Sequence, residues 1–583
     1  MLVATALIAQ KFPATGYELS IYDNTPTLIW IFWVFSMAGG VTIIVHQAIT
    51  KGYKESNFWI IGLLLIIFTQ VFLHYLPYIR GYTQWRGDLQ SHVGMVTDIL
   101  SLAHFGSYNF YPIVHSLLAE IILITGIPIL TVVMLSAILL VIIYASSIYL
   151  LAIAVLSERG QQLLAIAAIA GMPTFLGIAP IYFSILLFPL IFYLYFKRSS
   201  QPYTILLILL LIMYPFLHIF STLFLILSLV TIVLSTVIYM FIVKRRTSDI
   251  SGLHLQDSFN LIAIVSIILI TWVLSFQVFH KNLQSLWEQI FTGVAPNVIE
   301  DMATMLGKIN IQGIDFIILL FKIYGVAIIF IVLSLITGII LVRQIHIGNV
   351  NKETRGLFGL LSIFLFMGVL YLLYLLGVPG FKPIQADRVY YVVMIFTPIF
   401  VGFGLYELVK NVRFRYLAST AIICIIMLAS GLATFSFYAS PYVIRPNNQV
   451  TIMDMTGMEW FIERKSETVG SVNIMTPPGR FAVSILGMTE ARQRADLDRG
   501  RYSGGKITDH FNYNTNNSLG ISYVEDKYSV ITKFDRVLYT ELWEEVDRFN
   551  YDDFEKLESD TTTDKLYANG ELDIYFIHRA GSE

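Results

Sequence analysis

Apolar runs of roughly bilayer length recur along this chain, and they constrain its fold more than any other feature. An α-helix needs about 20 predominantly apolar residues to cross a bilayer. The 583-residue chain is 56% hydrophobic and only 13% charged, whereas about a quarter of an ordinary soluble domain is charged. The pattern predicts an α-helical polytopic membrane protein of about 12 spans. The expected spans are residues 28–49, 58–77, 127–156, 162–180, 181–196, 203–220, 221–243, 259–279, 315–342, 357–377, 391–409 and 417–437.

Charge divides the chain into two parts. From Ala439 to the end there are 16 basic and 24 acidic residues, a net charge of −8, and the remainder has 22 and 16, a net charge of +6. This contrast predicts a multi-span membrane domain, 1–438, and a C-terminal domain, 439–583. In the tail, GMEWFIERK is typical of a helix, and SVNIMTPP and GELDIYFIHR of strands. The tail is therefore expected to be a soluble α/β domain.

Five short loops are rich in lysine and arginine, and such loops face the cytoplasm. With twelve spans, all five fall on one side of the membrane. The outer loop 78–126 and the C-terminal domain then lie on the extracytoplasmic side, in a multi-pass protein of the cell membrane. The basic loops are residues 51–54, 196–200, 243–246, 342–355 and 410–415.

Reactive side chains are densest in RGDLQSHVGMVTD, residues 86–98, just after the second span. Asp88 and His92 are four apart, so on a helix they share a face and could share a metal ion or a phosphate. Asp98 lies about 80° around the helix from Asp88. Asp88 could act as a general base, or could hold with His92 a divalent cation, Mg²⁺ or Mn²⁺. The plainer interpretation is a set of solvated loop charges, and Arg86 is expected to be one.

Further candidates lie on the short apolar stretch 111–126, which is expected to form a re-entrant or interfacial helix. Tyr111 precedes it, and His115 and Glu120 lie in its first turns. Ionisable groups at membrane depth are costly and usually functional, but a helix at the interface carries them at little cost. Both interpretations stay open at this point.

Two residues near the ends of other spans complete the set. His218 lies where two spans meet on the predicted outer side, and it could simply satisfy that helix junction. Arg388 follows the outer loop 378–390. Its planar fork of donors suits a phosphate, and a snorkelling interface anchor is the alternative.

These features resemble the GT-C superfamily of membrane glycosyltransferases, which have an acidic motif in the first large outer loop, many spans and a C-terminal outer domain. The similarity is closest to archaeal members and extends distantly to oligosaccharyltransferases. The W-W-D-Y-G motif of the oligosaccharyltransferase branch is missing, which favours transfer of a single sugar over transfer of a whole glycan. The segments that carry the resemblance are ATGYELSIYDNTP, RGDLQSHVGMVTDI, NFYPIVHSLLAE, FLHIFSTL and YANGELDIYFI.

The resemblance implies an inverting transfer of a sugar from a polyprenyl- or dolichyl-phosphate donor to a lipid-linked glycan or a protein, on the outer face of the membrane. It implies that Asp88 is the catalytic base or a metal ligand, with Asp98 and His92 completing the loop site. The donor phosphate would meet Arg388 and His218, although Ile219 stands where members often have proline. The acceptor and lipid site would include Tyr111, His115 and Glu120.

Two other functions remain possible, a transporter or flippase of lipid-linked glycans and a non-catalytic membrane scaffold. Transporters usually place ionisable groups inside the membrane, and the predicted spans contain few of them. The chain also lacks the H-E-x-x-H and G-x-S-x-G motifs and has a single cysteine. This argues against the zinc and serine hydrolases that carry those common signatures. Chemistry at the outer edge of the membrane is favoured, with membrane lipids as partners and no nucleic acid.

Overall fold

The computed structural model describes most of the residues of the chain. Parts of the predicted spans 162–180 and 259–279 and most of the loop 378–390 lie outside them. The described residues are 2–172, 179–244, 255–276, 307, 311, 313–348, 350–378, 386–494, 496–497, 505–515 and 517–580.

Helices make up the first three quarters of the chain, as the apolar runs predict. One short strand, β1 (Gln84–Trp85), interrupts them after the second long helix. In chain order the helices are α1 (Leu2–Gln10), α2 (Ile21–Asn24), α3 (Thr27–Thr50), α4 (Trp59–Ile79), α5 (Asp88–Leu102), α6 (Pro112–Thr125), α7 (Ile129–Val155), α8 (Arg159–Ala168), α9 (Pro180–Leu186), α10 (Phe188–Lys197), α11 (Gln201–Leu217), α12 (Ile219–Lys244), α13 (Leu255–Leu274), α14 (Ile314–His346), α15 (Lys352–Leu375), α16 (Ala386–Met394), α17 (Thr397–Val409) and α18 (Arg415–Phe435).

Ten helical segments within the described part of the chain are long and apolar enough to cross a membrane. The protein is therefore a multi-pass α-helical membrane protein, and this part of the prediction is confirmed. Twelve spans were expected over the whole chain. Two expected runs contain no such segment among the described residues: 162–180, which overlaps the 10-residue α8 and lies partly outside those residues, and 203–220, which overlaps the 17-residue α11.

α8 is apolar because it is buried inside the protein. Every residue from Gly160 to Ala168 is buried. α8 packs against α17 so closely that a Cβ on Gly402 would overlap the backbone of Ala165. Burial against protein and burial against lipid select the same apolar residues. Residue composition alone therefore predicts a span where the structure has a short internal helix.

The C-terminal region combines strands and helices, as expected for an α/β domain. β6 and β7 form an antiparallel hairpin whose turn contains Gly570 at φ +90°, and the predicted strand and helix segments all form. The five-stranded sheet has the order β4-β3-β5-β7-β6, parallel from β4 to β5 and antiparallel thereafter. The elements are β2 (Gln449–Val450), α19 (Ile452–Arg464), β3 (Ser471–Asn473), α20 (Pro478–Leu486), α21 (Met488–Ala491), β4 (Gly505–Lys506), β5 (Lys527–Thr532), α22 (Lys533–Val537), α23 (Tyr551–Ser559), β6 (Thr563–Ala568) and β7 (Leu572–Ile577).

The C-terminal region docks onto the segment 78–126. β1 pairs with β2 in antiparallel register. Arg86 forms an ion pair of 2.7 Å with Asp454 on α19, and the two side chains are 9% and 1% exposed, respectively. Its guanidinium also lies over the Phe534 ring. The expectation that Arg86 is a surface charge is therefore wrong, because its charge is neutralised and buried in the interface.

The N-terminal segment joins the same interface. Glu18 forms an ion pair with Arg80 at the end of α4 and accepts a 2.8 Å hydrogen bond from the Tyr82 hydroxyl. The neighbouring Tyr17 donates its backbone N–H to Glu571 at 2.8 Å. The start of the chain thus contacts both the segment 78–126 and the sheet region, which fixes the position of one against the other.

The tightest contact between α5 and the C-terminal region is at Gly94, and it yields a stability prediction. A Cβ at this position would overlap the carbonyl oxygen of Val483 on α20. Gly94→Ala should therefore destabilise the protein by about 1–3 kcal/mol, the usual cost of overpacking. The measurement is the midpoint of thermal unfolding of the purified protein in detergent.

Gly431→Ala is the matched control, because a Cβ there would meet nothing within 4 Å. It should leave the unfolding midpoint unchanged or slightly raised, since alanine is the better helix former. Equal midpoints for the two variants would show that α5 and α20 are not in close contact.

Candidate active site

The candidate site begins at the first residue of α5. Gly87, just before it, has φ +98°, which glycine adopts without steric cost, and its N–H donates to Gln90 Oε1 at 3.1 Å. The helix therefore starts at Asp88, where a carboxylate is favoured by the helix dipole. The Asp88 side chain is 74% exposed, and its Oδ1 lies 3.2 Å from Nη2 of Arg480 on α20.

Two histidines meet one turn further along α5. His92 Nδ1 lies 3.0 Å from His115 Nε2, and His115 Nδ1 lies 2.7 Å from Oδ1 of Asn109. The N–H of Tyr111 also donates to this oxygen, at 3.3 Å, which assigns it as an acceptor. His115 therefore carries its proton on Nδ1, and its Nε2 accepts from His92 Nδ1. Nε2 is then the acceptor nitrogen of His92.

Burial keeps this histidine pair neutral. It lowers the pKa of His92 to about 4 from the usual 6.5, with Asp88 opposing the shift and Arg480 adding to it. Burial also lowers the pKa of His115 well below its usual value, and His92 contributes to that shift. Both imidazoles are thus uncharged at neutral pH and can exchange hydrogen bonds without a charge to solvate.

His218 is positioned by the break between α11 and α12. It has an extended backbone, φ −168° and ψ 127°, and α11 ends before it rather than at residue 220 as predicted. The His218 ring stacks on Tyr111, with centroids 4.5 Å apart. The N–H of Ser221 donates to His218 Nδ1 at 3.3 Å, so the ring proton is on Nε2.

Arg388 lies at the other end of this group of side chains. Its guanidinium is 4.8 Å from the centre of the Phe220 ring, and that ring is 6.2 Å from His218. The charge of Arg388 also acts on His218. Six predicted residues are therefore linked by contacts or by electrostatic interaction. This polar row consists of Asp88, His92, His115, Tyr111, His218 and Arg388.

Two predicted residues lie away from the polar row. Asp98 is buried and accepts hydrogen bonds from Thr489 on α21, from the backbone N–H at 3.1 Å and the hydroxyl at 2.8 Å. It lies on the face of α5 that docks against the C-terminal region. Glu120 is exposed on α6. The catalytic role of Asp98 and the acceptor role of Glu120 stay predictions.

Two residues of the site were not predicted from sequence. Arg480 lies in the C-terminal region and reaches Asp88 only through the docking of α20, so no local pattern identifies it. Asn109 precedes α6 by three positions, and an asparagine just before a helix is a known signal for a side chain that binds nearby N–H groups. That signal could have identified Asn109 as the partner of His115.

The arrangement does not favour the predicted metal site. Asp88 faces Arg480, and His92 Nδ1 faces another imidazole. Within the described part of the chain, no group of three or more histidine, cysteine, aspartate or glutamate side chains is placed to hold a metal ion. Asp88 and His92 alone would give a cation two ligands, and the nearby guanidinium would repel it. Binding of a divalent cation stays a prediction.

Comparisons with known proteins found similarity to solved structures and none to protein families or curated sequences. No protein-family model matches this chain, and no curated protein sequence matches it significantly. The crystal structure of ArnT from Cupriavidus metallidurans bound to undecaprenyl phosphate is similar over 90% of this chain and 99% of that chain, with 7% identity and a TM-score of 0.42. Its apo state is similar over 89% and 97%, with 8% identity and a TM-score of 0.41.

Asp98 offers a stability test of its place in the interface. Asp98→Ala should lower the unfolding midpoint, because it leaves the half-buried Thr489 donors without their acceptor, at a cost of roughly 1–3 kcal/mol. Asp98→Asn retains one acceptor oxygen and should lose less. Thermal unfolding in detergent measures both. Identical midpoints for wild type and the two variants would show that Asp98 does not anchor the C-terminal region.

The histidine pair predicts a specific pH dependence of stability. Between pH 6.5 and about 4, the unfolded chain binds a proton at His92 that the folded protein does not, so stability falls as the pH falls through this interval. His92→Asn removes this contribution, and its unfolding midpoint should decrease less steeply on acidification. The exposed His104 provides the control variant, His104→Asn, which should keep the wild-type slope. Parallel slopes for all three proteins would contradict burial of a neutral His92.

Proposed function

We propose that this protein is a membrane glycosyltransferase that takes a sugar from a polyprenyl- or dolichyl-phosphate donor. The observation that carries the proposal is the polar row, in which an exposed carboxylate, a neutral histidine pair and an arginine occur together beside the helical membrane region. A phosphate-linked sugar needs a base for the acceptor and donors for the leaving phosphate, and the polar row offers both. The GT-C resemblance of the sequence points to the same reaction.

Arg388 and His218 are assigned to the donor phosphate. A guanidinium supplies paired donors to phosphate oxygens, and Nε2–H of His218 adds a donor from a neutral ring. His218 lies between the apolar helices α11 and α12, and Arg388 begins the apolar segment Arg388–Val409, so both lie where the headgroup of a membrane lipid would be. The buried surroundings strengthen such interactions by excluding water.

Asp88 is assigned as the general base. Its carboxylate takes the proton of the acceptor hydroxyl as that oxygen attacks the anomeric carbon of the sugar. A bond forms from the acceptor oxygen to the anomeric carbon, and the bond from that carbon to the phosphate oxygen breaks. The electron pair leaves with the lipid phosphate. Attack opposite the leaving group inverts the anomeric configuration.

The acceptor is assigned to the side of the site formed by Tyr111 and His115, and it would be a lipid-linked glycan or a protein. With the twelve predicted spans, the basic loops support an extracytoplasmic position for this side of the protein. Asp88 is the most exposed member of the polar row, which suits an acceptor that arrives from the aqueous side.

Asp88→Asn is the direct test of this function. It removes the base while keeping the shape of the side chain, and it should lower sugar transfer by about 10²–10⁴-fold. The assay uses membranes containing the full-length variant, a radiolabelled polyprenyl-phosphate sugar, and separation of released from lipid-linked label. Glu463→Gln, which alters an exposed carboxylate on α19, should transfer sugar at the wild-type rate. Unchanged transfer by Asp88→Asn would reject the assignment of the base.

A further inference from the structure

Arg480 makes the most specific contact between the C-terminal region and the polar row. It lies in the first turns of α20, and its side chain is only 16% exposed, whereas that of Asp88 is 74% exposed. Nη2 lies 3.2 Å from Asp88 Oδ1, and Nη1 donates to Ser91 Oγ at 2.6 Å. One guanidinium thus holds two side chains in the first turn of α5.

The position of this guanidinium is fixed by contacts further along the same two elements. Gly94 of α5 packs directly against Val483 of α20. Asp98 then receives the two hydrogen bonds from Thr489. Ser91, Gly94 and Asp98 are spaced by three and four residues, so they form one helical face turned toward the C-terminal region. Arg480 therefore projects from a helix, α20, that is packed against α5.

We propose that Arg480 is a positioning residue that orients the carboxylate of Asp88, so that the C-terminal region completes the active site. This inference rests on the proposed function. An exposed aspartate at a helix start has several accessible rotamers, and an arginine that binds Oδ1 selects among them. Oδ2 then faces the acceptor hydroxyl and receives its proton. Lysine can supply the same charge, but it lacks the planar guanidinium whose two amino groups contact Asp88 and Ser91 at the same time.

Steady-state kinetics of Arg480 variants test this role in the full-length protein. Misplacement of a catalytic group by about 1 Å can lower the reaction rate by about 10²-fold. Arg480→Gln should therefore lower kcat by about 10- to 100-fold. The KM for polyprenyl-phosphate sugar should stay unchanged within about twofold. Arg480→Lys should recover part of the loss. Arg464→Gln, on an exposed position of α19, should behave as wild type. The unfolding midpoint of each variant is measured in detergent.

Several outcomes would overturn the proposal. A raised KM with unchanged kcat would make Arg480 a contact of the donor phosphate. Loss of activity that only accompanies a lower unfolding midpoint, with no recovery in Arg480→Lys, would make it a structural residue. If Asp88→Asn is inactive and Arg480→Gln is fully active, Arg480 has no positioning role and the proposed function stands. If Asp88→Asn is fully active, the proposed base fails and this inference fails with it.

Discussion

The packing of α20 against α5 at Gly94 is the contact on which the rest of the candidate site depends. Glycine is required there because the carbonyl of Val483 occupies the space of a side chain. This close approach brings Arg480 within reach of Asp88 at one end of α5, and Thr489 within reach of Asp98 at the other. The helical period then turns His92 onto a neighbouring face, toward α6. One helix thereby presents a docking face to the C-terminal region and a reactive face to the membrane region.

Neutral groups separate the charged ends of the polar row. Asp88 with Arg480 lies at one end and Arg388 at the other, and the histidine pair and Tyr111 lie between them. Charged imidazoles there would require solvation that the buried surroundings do not supply, and desolvation removes their protons instead. Neutral rings can still form directional hydrogen bonds. His115 donates one to Asn109 and accepts one from His92. The tautomers are consequently determined by one carbonyl oxygen, Asn109 Oδ1.

Much of the architecture could be predicted because bilayer thickness imposes a helix length that shows directly in the sequence. The prediction failed for α8, since an internal helix and a lipid-facing helix need the same apolar residues. Spacing along one helix grouped Asp88 with His92, and both residues lie on α5. It could not reveal that Asp98 would be buried against Thr489, or that Arg86 would be buried against Asp454, because both partners lie in the distant C-terminal region. Contacts of this kind depend on how separate elements dock, and no local pattern encodes them.

Exposure to solvent differs between members of the polar row, and this difference argues for a substrate with two unlike ends. Asp88 is 74% exposed, whereas His115 and His218 are 0% and 4% exposed. A purely structural cluster would have little reason to bury histidines while leaving their neighbouring carboxylate in water. A sugar attached through phosphate to an apolar chain, the donor proposed above, matches this difference, because its lipid end belongs among apolar helices and its sugar end belongs near the aqueous surface. Under that proposal the exposed carboxylate of Asp88 is the group that an acceptor can reach, and the buried His218 lies on the side assigned to the phosphate.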